Sequence, residues 1–163
     1  MESFVDARDI NGTRHSVRAA DMSFKVSAYG VTIHDGRVLL VPQWDGYDIP
    51  GGGIELGEKT SEALIREIRE ETGLTIEPDM SHPLHVTEDF FIHPTNGGKY
   101  HYILLYYRCR LVGGEISTEG FQDDEKEYAK SAEWISVHEV SKLKFYNPVD
   151  SPAIIAAAAS LGF

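Results

Sequence analysis

Three glutamates, Glu67, Glu70 and Glu71, occupy positions i, i+3 and i+4 of a segment with helical periodicity. At about 100° per residue their carboxylates fall within an arc of roughly 100°. Leu64, Ile65 and Ile68 form a separate arc, centred roughly 110° away, that suits burial. One side of this helix is therefore expected to pack, and the adjoining side to present three carboxylates. Like charges four residues apart, here Glu67 and Glu71, destabilise an isolated helix. Hard cations such as Mg2+ or Mn2+ take oxygen ligands and offset that repulsion. Arg66 can also relieve it, by pairing with Glu58 or Glu70. Taken alone, three glutamates on a helix read as a solvated charged face.

Their neighbourhood changes the reading. From Gly52 the chain runs five residues to Glu58, then seven to Arg66-Glu67-Ile68-Arg69-Glu70-Glu71-Thr72-Gly73-Leu74. This resembles the Nudix box, G-x5-E-x7-R-E-U-x-E-E-x-G-U with U aliphatic, and agrees at every specified position. From average residue usage a chance match is on the order of 10⁻⁹ per starting position. A looser likeness covers most of the chain: the strand before the box, Ile49-Pro50-Gly51-Gly52, and Glu133-Trp134-Ile135.

The resemblance implies an α/β (α+β) fold, an α/β/α sandwich around a mixed β-sheet. It also implies hydrolysis of nucleoside diphosphates linked to another moiety, with Mg2+ or Mn2+ as cofactor. By position, Glu67, Glu70 and Glu71 resemble the family's metal ligands, with Glu67 as ligand or base. Arg66 looks like the residue that orients a glutamate, Glu58 like a supporting acid, and the Gly51 carbonyl like a backbone metal ligand. The physics agrees with these roles. A diphosphate resists hydrolysis because its negative oxygens repel a nucleophile; metals neutralise that charge and acidify a bound water, and a carboxylate takes the proton. Glycines 51 to 53 allow close approach of backbone to a metal or phosphate, or simply a tight strand-to-helix turn.

Outside the box, relatives often add a glutamate from a later loop. Here that loop holds Glu119, Asp123, Asp124, Glu125 and Glu127. Glu127 is favoured as base, since it lies shortly before Glu133-Trp134 as the corresponding acid does in MutT-like relatives. Glu55 and Glu88 are further candidates, with Gly52 and Glu55 assigned to substrate binding. Trp44 and Tyr47 precede the Pro-Gly-Gly turn, where aromatic rings either stack on a nucleobase or pack at the rim. His82, His85, His93 and His101 lack zinc spacing, although His93 or His101 could contact phosphate. Cys109 lies in a strand and reads as buried, not nucleophilic.

The elements that must position these groups follow from local signals. Residues 4–18 read as a hairpin turning at Asn11-Gly12, a pair suited to two positive-φ positions. Phe24 to Ile33 and Arg37 to Gln43 pair around His34-Asp35-Gly36. A helix runs from about Ser61 to Thr72, capped by Thr60 or Ser61 and closed by Gly73. Strands follow at Leu74 to Glu77, Leu84 to Ile92, Tyr100 to Leu111 and Glu133 to Val137, with a last helix over Pro152 to Leu161. The strand at Tyr100 to Leu111 is apolar on both faces, so a central place is expected.

Composition bounds the rest. The 163 residues fit a single domain, 1–163, with 1–20 as an N-terminal hairpin extension. The net charge is −11, which repels duplex nucleic acid and suits divalent cations or mere solubility. No apolar run approaches the roughly 20 residues of a membrane helix. The acidic start, Met1-Glu2-Ser3-Phe4, is unlike a secretory leader, and a lone cysteine fits a reducing compartment, so a cytoplasmic location is expected.

The resemblance separates substrate types by signatures beyond the box. The ADP-ribose type carries a proline where this chain has Glu88 to Phe90, and the NADH and coenzyme A signatures are also missing. A nucleoside triphosphate, an oxidised nucleotide or a nucleotide sugar stays open. Two readings compete with hydrolysis. A nucleotide-binding regulator on this fold usually loses box carboxylates, which are kept here. An isopentenyl diphosphate type isomerase uses a cysteine ahead of the box, whereas Cys109 follows it. A homodimer is plausible, with the hairpin and edge strands pairing between chains.

Overall fold

The structure, a computed structural model, describes residues 1–127 and 129–162, with Glu127 described by its backbone alone. Ten strands join in one mixed sheet with a helix on each side. In chain order the elements are β1 (Phe4–Arg8), β2 (Arg14–Arg18), β3 (Ser23–His34), β4 (Arg37–Gln43), β5 (Gly46–Asp48) and β6 (Gly51–Gly53). Helix α1 (Thr60–Thr72) follows, then β7 (Leu74–Pro78), β8 (His85–Ile92), β9 (Lys99–Gly114), β10 (Glu133–Ser136) and α2 (Ser151–Leu161).

The main path through the sheet is β10-β4-β3-β9-β8-β1-β2, with β5 on β4, β6 on β3 and β7 on β9. β9 pairs with β3, β8 and β7, the central place that its two apolar faces require. β3 and β9 run parallel, as do β1 and β8; the other pairings are antiparallel.

β4 shows how one strand serves two cores. Its side chains alternate, so Leu39 and Val41 join Leu64 and Ile68 of α1, while Val38 and Leu40 join Ile154 and Ile155 of α2. All four β4 residues are essentially inaccessible. This is the expected layered arrangement, helix, mixed sheet, helix. Among the described residues no helix is long and apolar enough to cross a membrane.

Several local expectations are corrected. The β1–β2 connection is not a two-residue turn, because of Asn11 and Gly12 only Gly12 has a positive φ, 82°. A longer loop forms instead, and the Asp9 carboxylate accepts the N–H groups of Asn11 and Thr13 at 2.9 and 3.0 Å. The tight turn lies at Asp35-Gly36, with φ of 48° and 70°. The hairpin extends the sheet at β8, with Arg8 opposite Phe91. Helix α1 starts one residue earlier than expected, at Thr60. The Glu62 carboxylate, not a hydroxyl, closes its first turn by accepting the Lys59 N–H at 2.9 Å. Gly73 ends it in the left-handed conformation, φ 79°.

A candidate carboxylate site beside a deep cavity

The position of α1 is set by what lies beneath it. Leu64 and Ile68 are fully buried against Ala28, Leu39 and Val41. Gly30 of β3 lets the helix come this close: a Cβ there would lie 2.4 Å from Ile68 Cδ1. Docked in this way, α1 turns its glutamates toward β6, the glycine strand. Gly51 donates its N–H to Glu71 Oε2 at 2.9 Å. Gly52 faces the Glu67 carboxyl group so closely that a Cβ would lie 2.6 Å from Glu67 Cδ.

The three carboxylates face one cavity, as the helical wheel implies, but they are not equally exposed. Side-chain exposure is 28% for Glu70 and 14% for Glu67, and Glu71 as a whole is 8% exposed. The arc runs from the rim inward, because β6 covers the side of α1 that carries Glu71. Burial pushes the Glu71 carboxyl well above its ordinary range, against the Gly51 N–H, and the charges of Glu125, Glu67 and Asp48 push it further. Burial also raises Glu67, opposed by Arg66. Glu125 is raised by burial too, opposed by the Gln122 N–H and reinforced by Asp124 and Glu70.

Arg66 braces this cluster. Its Nε and Nη2 donate to Glu58 at 2.7 and 2.8 Å, and Nη2 also donates to the Gly53 carbonyl at 2.9 Å. Nη1 donates to Glu67 at 2.7 Å and to Glu70 at 3.5 Å. The guanidinium holds Glu58 down to about 2. Among the described residues no three His, Cys, Asp or Glu side chains are gathered into a ready-made metal cage. The donor chemistry nevertheless fits a hard divalent cation: oxygen ligands, several partly desolvated, each raising its neighbours' affinity for positive charge.

A cavity of about 500 Å³ opens in front of the cluster. Gly51, Gly52, Glu55, Arg66, Glu67, Glu70 and Glu71 all line it, as does Trp44. Trp44 has φ 48° and sets its ring 5.0 Å from that of Tyr146. Tyr47 is not brought in: it packs against the α2-side core and its hydroxyl donates to Glu133 Oε2 at 3.3 Å. Alternation in β5 sends Asp48 into the cavity instead. Glu88 likewise points away and meets His101 at 3.1 Å, so neither reaches the cavity, whereas Asp89 and His93 line it. The side chain of Glu127 lies outside the described residues; its backbone belongs to the single 3-10 turn Glu125–Glu127, from which Glu125 lines the cavity. Cys109 is buried, and burial pushes its thiol up to about 12.

Sequence reasoning missed Arg8, Asp48, Asp89 and Asn147 as cavity residues. For Asp48 a signal existed: an acid between Tyr47 and Ile49, just ahead of the glycines, in a run otherwise set for burial. Arg8 carried none, because only the docking of β1 on β8 brings it in.

A family model described as "NUDIX domain" matches residues 24–156. An ADP-ribose pyrophosphatase of Methanocaldococcus jannaschii is 31% identical over 125 residues, covering 74% of this chain and 66% of that protein. The nucleoside triphosphatase NudI of an Enterobacter species is 31% identical over 113 residues, covering 67% of this chain and 78% of the relative. Other curated relatives are longer, and the chain spans only 34% of a mutator protein MutT4 named as putative, from Mycobacterium tuberculosis. Among solved structures, a NUDIX hydrolase from Nitrosomonas europaea superposes with a TM-score of 0.62 at 20% identity, over 86% of this chain and 90% of that one. That likeness concerns the fold alone.

Proposed function

The chain belongs to the NUDIX family, and from that premise we propose that it is a divalent-metal-dependent pyrophosphohydrolase of nucleotide-like diphosphates. The observation that carries the reading is the row of box carboxylates set along one wall of a cavity large enough for a nucleotide.

Glu67, Glu70, Glu71 and the Gly51 carbonyl are the groups that would hold Mg2+ or Mn2+. When bound, the cation supplies charge neutralisation at the diphosphate and an acidified water. The chain's own residues do the rest. Arg66 locks Glu58 and Glu67 in place, and Gly52 leaves room for the Glu67 carboxylate. The Gly51 N–H orients Glu71 from behind. A carboxylate on the 125–127 turn takes the water's proton. Glu127 is the choice from spacing, and Glu125 is the one supported by its place on the cavity wall and its raised proton affinity. Glu58, held ionised by Arg66, is a brace and not a base.

For the substrate we propose a nucleoside triphosphate, an oxidised nucleotide or a nucleotide sugar. The relative from M. jannaschii is named for ADP-ribose, but this chain has no proline at Glu88 to Phe90. The test is nucleotide-product release from nucleoside triphosphates, nucleotide sugars, ADP-ribose and dinucleoside polyphosphates, with Mg2+, with Mn2+ and with EDTA. Cleavage that EDTA stops supports the reading and names the substrate class. Silence across the panel with nucleotide binding intact overturns hydrolysis in favour of a nucleotide-binding regulator.

A further inference from the structure

Part of the cavity wall is built by the N-terminal hairpin, which lies outside the family match at residues 24–156. Arg8 and Ile10 reach in from it, beside Asp89, Phe91 and Tyr102. Arg8 lines the same cavity as Asp48 and the box carboxylates, so one substrate can meet both Arg8 and the box.

Arg8 is only half used. Its side chain is 11% exposed and that of Asp89 is 7% exposed. The Nε and Nη2 edge of the guanidinium forks onto the carboxylate: Nε donates to Oδ1 and Oδ2 at 3.0 and 3.2 Å, and Nη2 to Oδ2 at 2.7 Å. The central carbon of the guanidinium lies over the Phe91 ring, 4.6 Å from the centroid. The second edge, one N–H from Nη1 beside one from Nη2, has no hydrogen-bond partner among the described residues. A guanidinium offers only donors, two parallel ones on this edge.

We propose that this free edge of Arg8 reads the base of the substrate, and that the base is a keto purine of the guanine kind. The inference rests on the nucleotide reading of the cavity. Guanine presents two adjacent acceptors, O6 and N7, which match a pair of parallel donors; adenine sets a donor amino group beside its N7 acceptor. A phosphate is a poorer match, because Asp89 already neutralises Arg8 and Asp48 lines the same cavity. Phe91, Tyr102 and Ile10 make walls for a flat ring. Asp89 is then a positioning residue, fixing the guanidinium plane so that the free edge keeps its aim.

The test is calorimetric titration with the α,β-methylene analogues of GTP and ATP in Mg2+, which need no turnover. The protein should bind the guanine analogue about tenfold or more tighter than the adenine one. Arg8→Lys keeps the charge beside Asp89 but removes the second fork. It should lose that preference by weakening guanine binding alone. Arg8→Ala should do the same; it leaves Asp89 buried without its partner and so lowers stability, and retained binding of the adenine analogue well below its melting temperature shows that the site stays folded. Binding without preference, a preference that survives in Arg8→Lys, or equal loss for both analogues overturns the proposal and leaves the nucleotide reading standing. Failure of the unaltered protein to bind either analogue overturns both.

Discussion

Asp48 offers a measurable consequence of placing an acid in the cavity floor. It is 5% exposed, and one N–H, from Asn147 at 3.1 Å, meets its Oδ1. Burial raises its carboxyl from 3.8 to about 7, with the Asn147 N–H and Arg8 pulling the other way. Below about pH 4 the group is protonated whether the chain is folded or not. Between about pH 4 and 7 the unfolded chain releases the proton and the folded chain keeps it, so stability falls as pH rises. Above 7 both forms are ionised and the loss is complete. A gap of about three pH units, at about 1.4 kcal/mol each, amounts to about 4 kcal/mol. Asn in place of Asp48 can still accept the Asn147 N–H but does not ionise. Asp48→Asn should therefore exceed the unaltered protein by only about 1 kcal/mol at pH 4.5 and by about 4 kcal/mol at pH 8. With a urea slope of about 2 kcal/mol per M, the midpoint should rise by about 2 M. Urea curves at the two pH values, in EDTA so that no cation contributes, measure this directly. A midpoint difference that is the same at both pH values refutes the assignment of a raised, buried Asp48.

The remaining predictions concern the site and its support. Glu71→Gln keeps an acceptor for the Gly51 N–H and removes a carboxyl whose ionisation burial opposes, so it should raise the melting temperature in EDTA at pH 8 while lowering turnover at least about a hundredfold. Gly52→Ala pushes the Glu67 carboxylate aside; activity should fall about a hundredfold with little change in melting temperature, because the flexible end of Glu67 can move. In Gly30→Ala the new Cβ meets Ile68 and Cys109 in a packed core, and chemical denaturation should show a loss of about 1–3 kcal/mol. Of Glu125→Gln and Glu127→Gln, the true base should cost at least about tenfold in kcat with KM little changed; two small effects would place the base off this turn.

The chain's local grammar determined a good deal. The box spacing announced the carboxylate helix and the glycine loop before it, since a helix's period and a glycine's freedom are properties of short segments. The central place of β9 was legible for the same reason: two apolar faces leave a strand nowhere to go but the middle. Local reasoning failed where geometry depends on partners far away in sequence. The helical wheel set Glu67, Glu70 and Glu71 side by side but had no knowledge of β6, whose cover over Glu71 grades them from rim to interior. Asn11-Gly12 promised a tight turn, and the Asp9 carboxylate offered the backbone a better arrangement. Tyr47 and Asp48 are adjacent residues whose fates were decided by which side of β5 faces the cavity. Arg8 could not have been found at all, because it lies 81 residues from Asp89 and meets it only when the hairpin docks on β8. Sequence alone thus determined the family and the candidate groups that the chain carries. The tertiary structure decided which of those groups are desolvated, which are neutralised and which face the same cavity, because burial and pairing are set by distant chain segments.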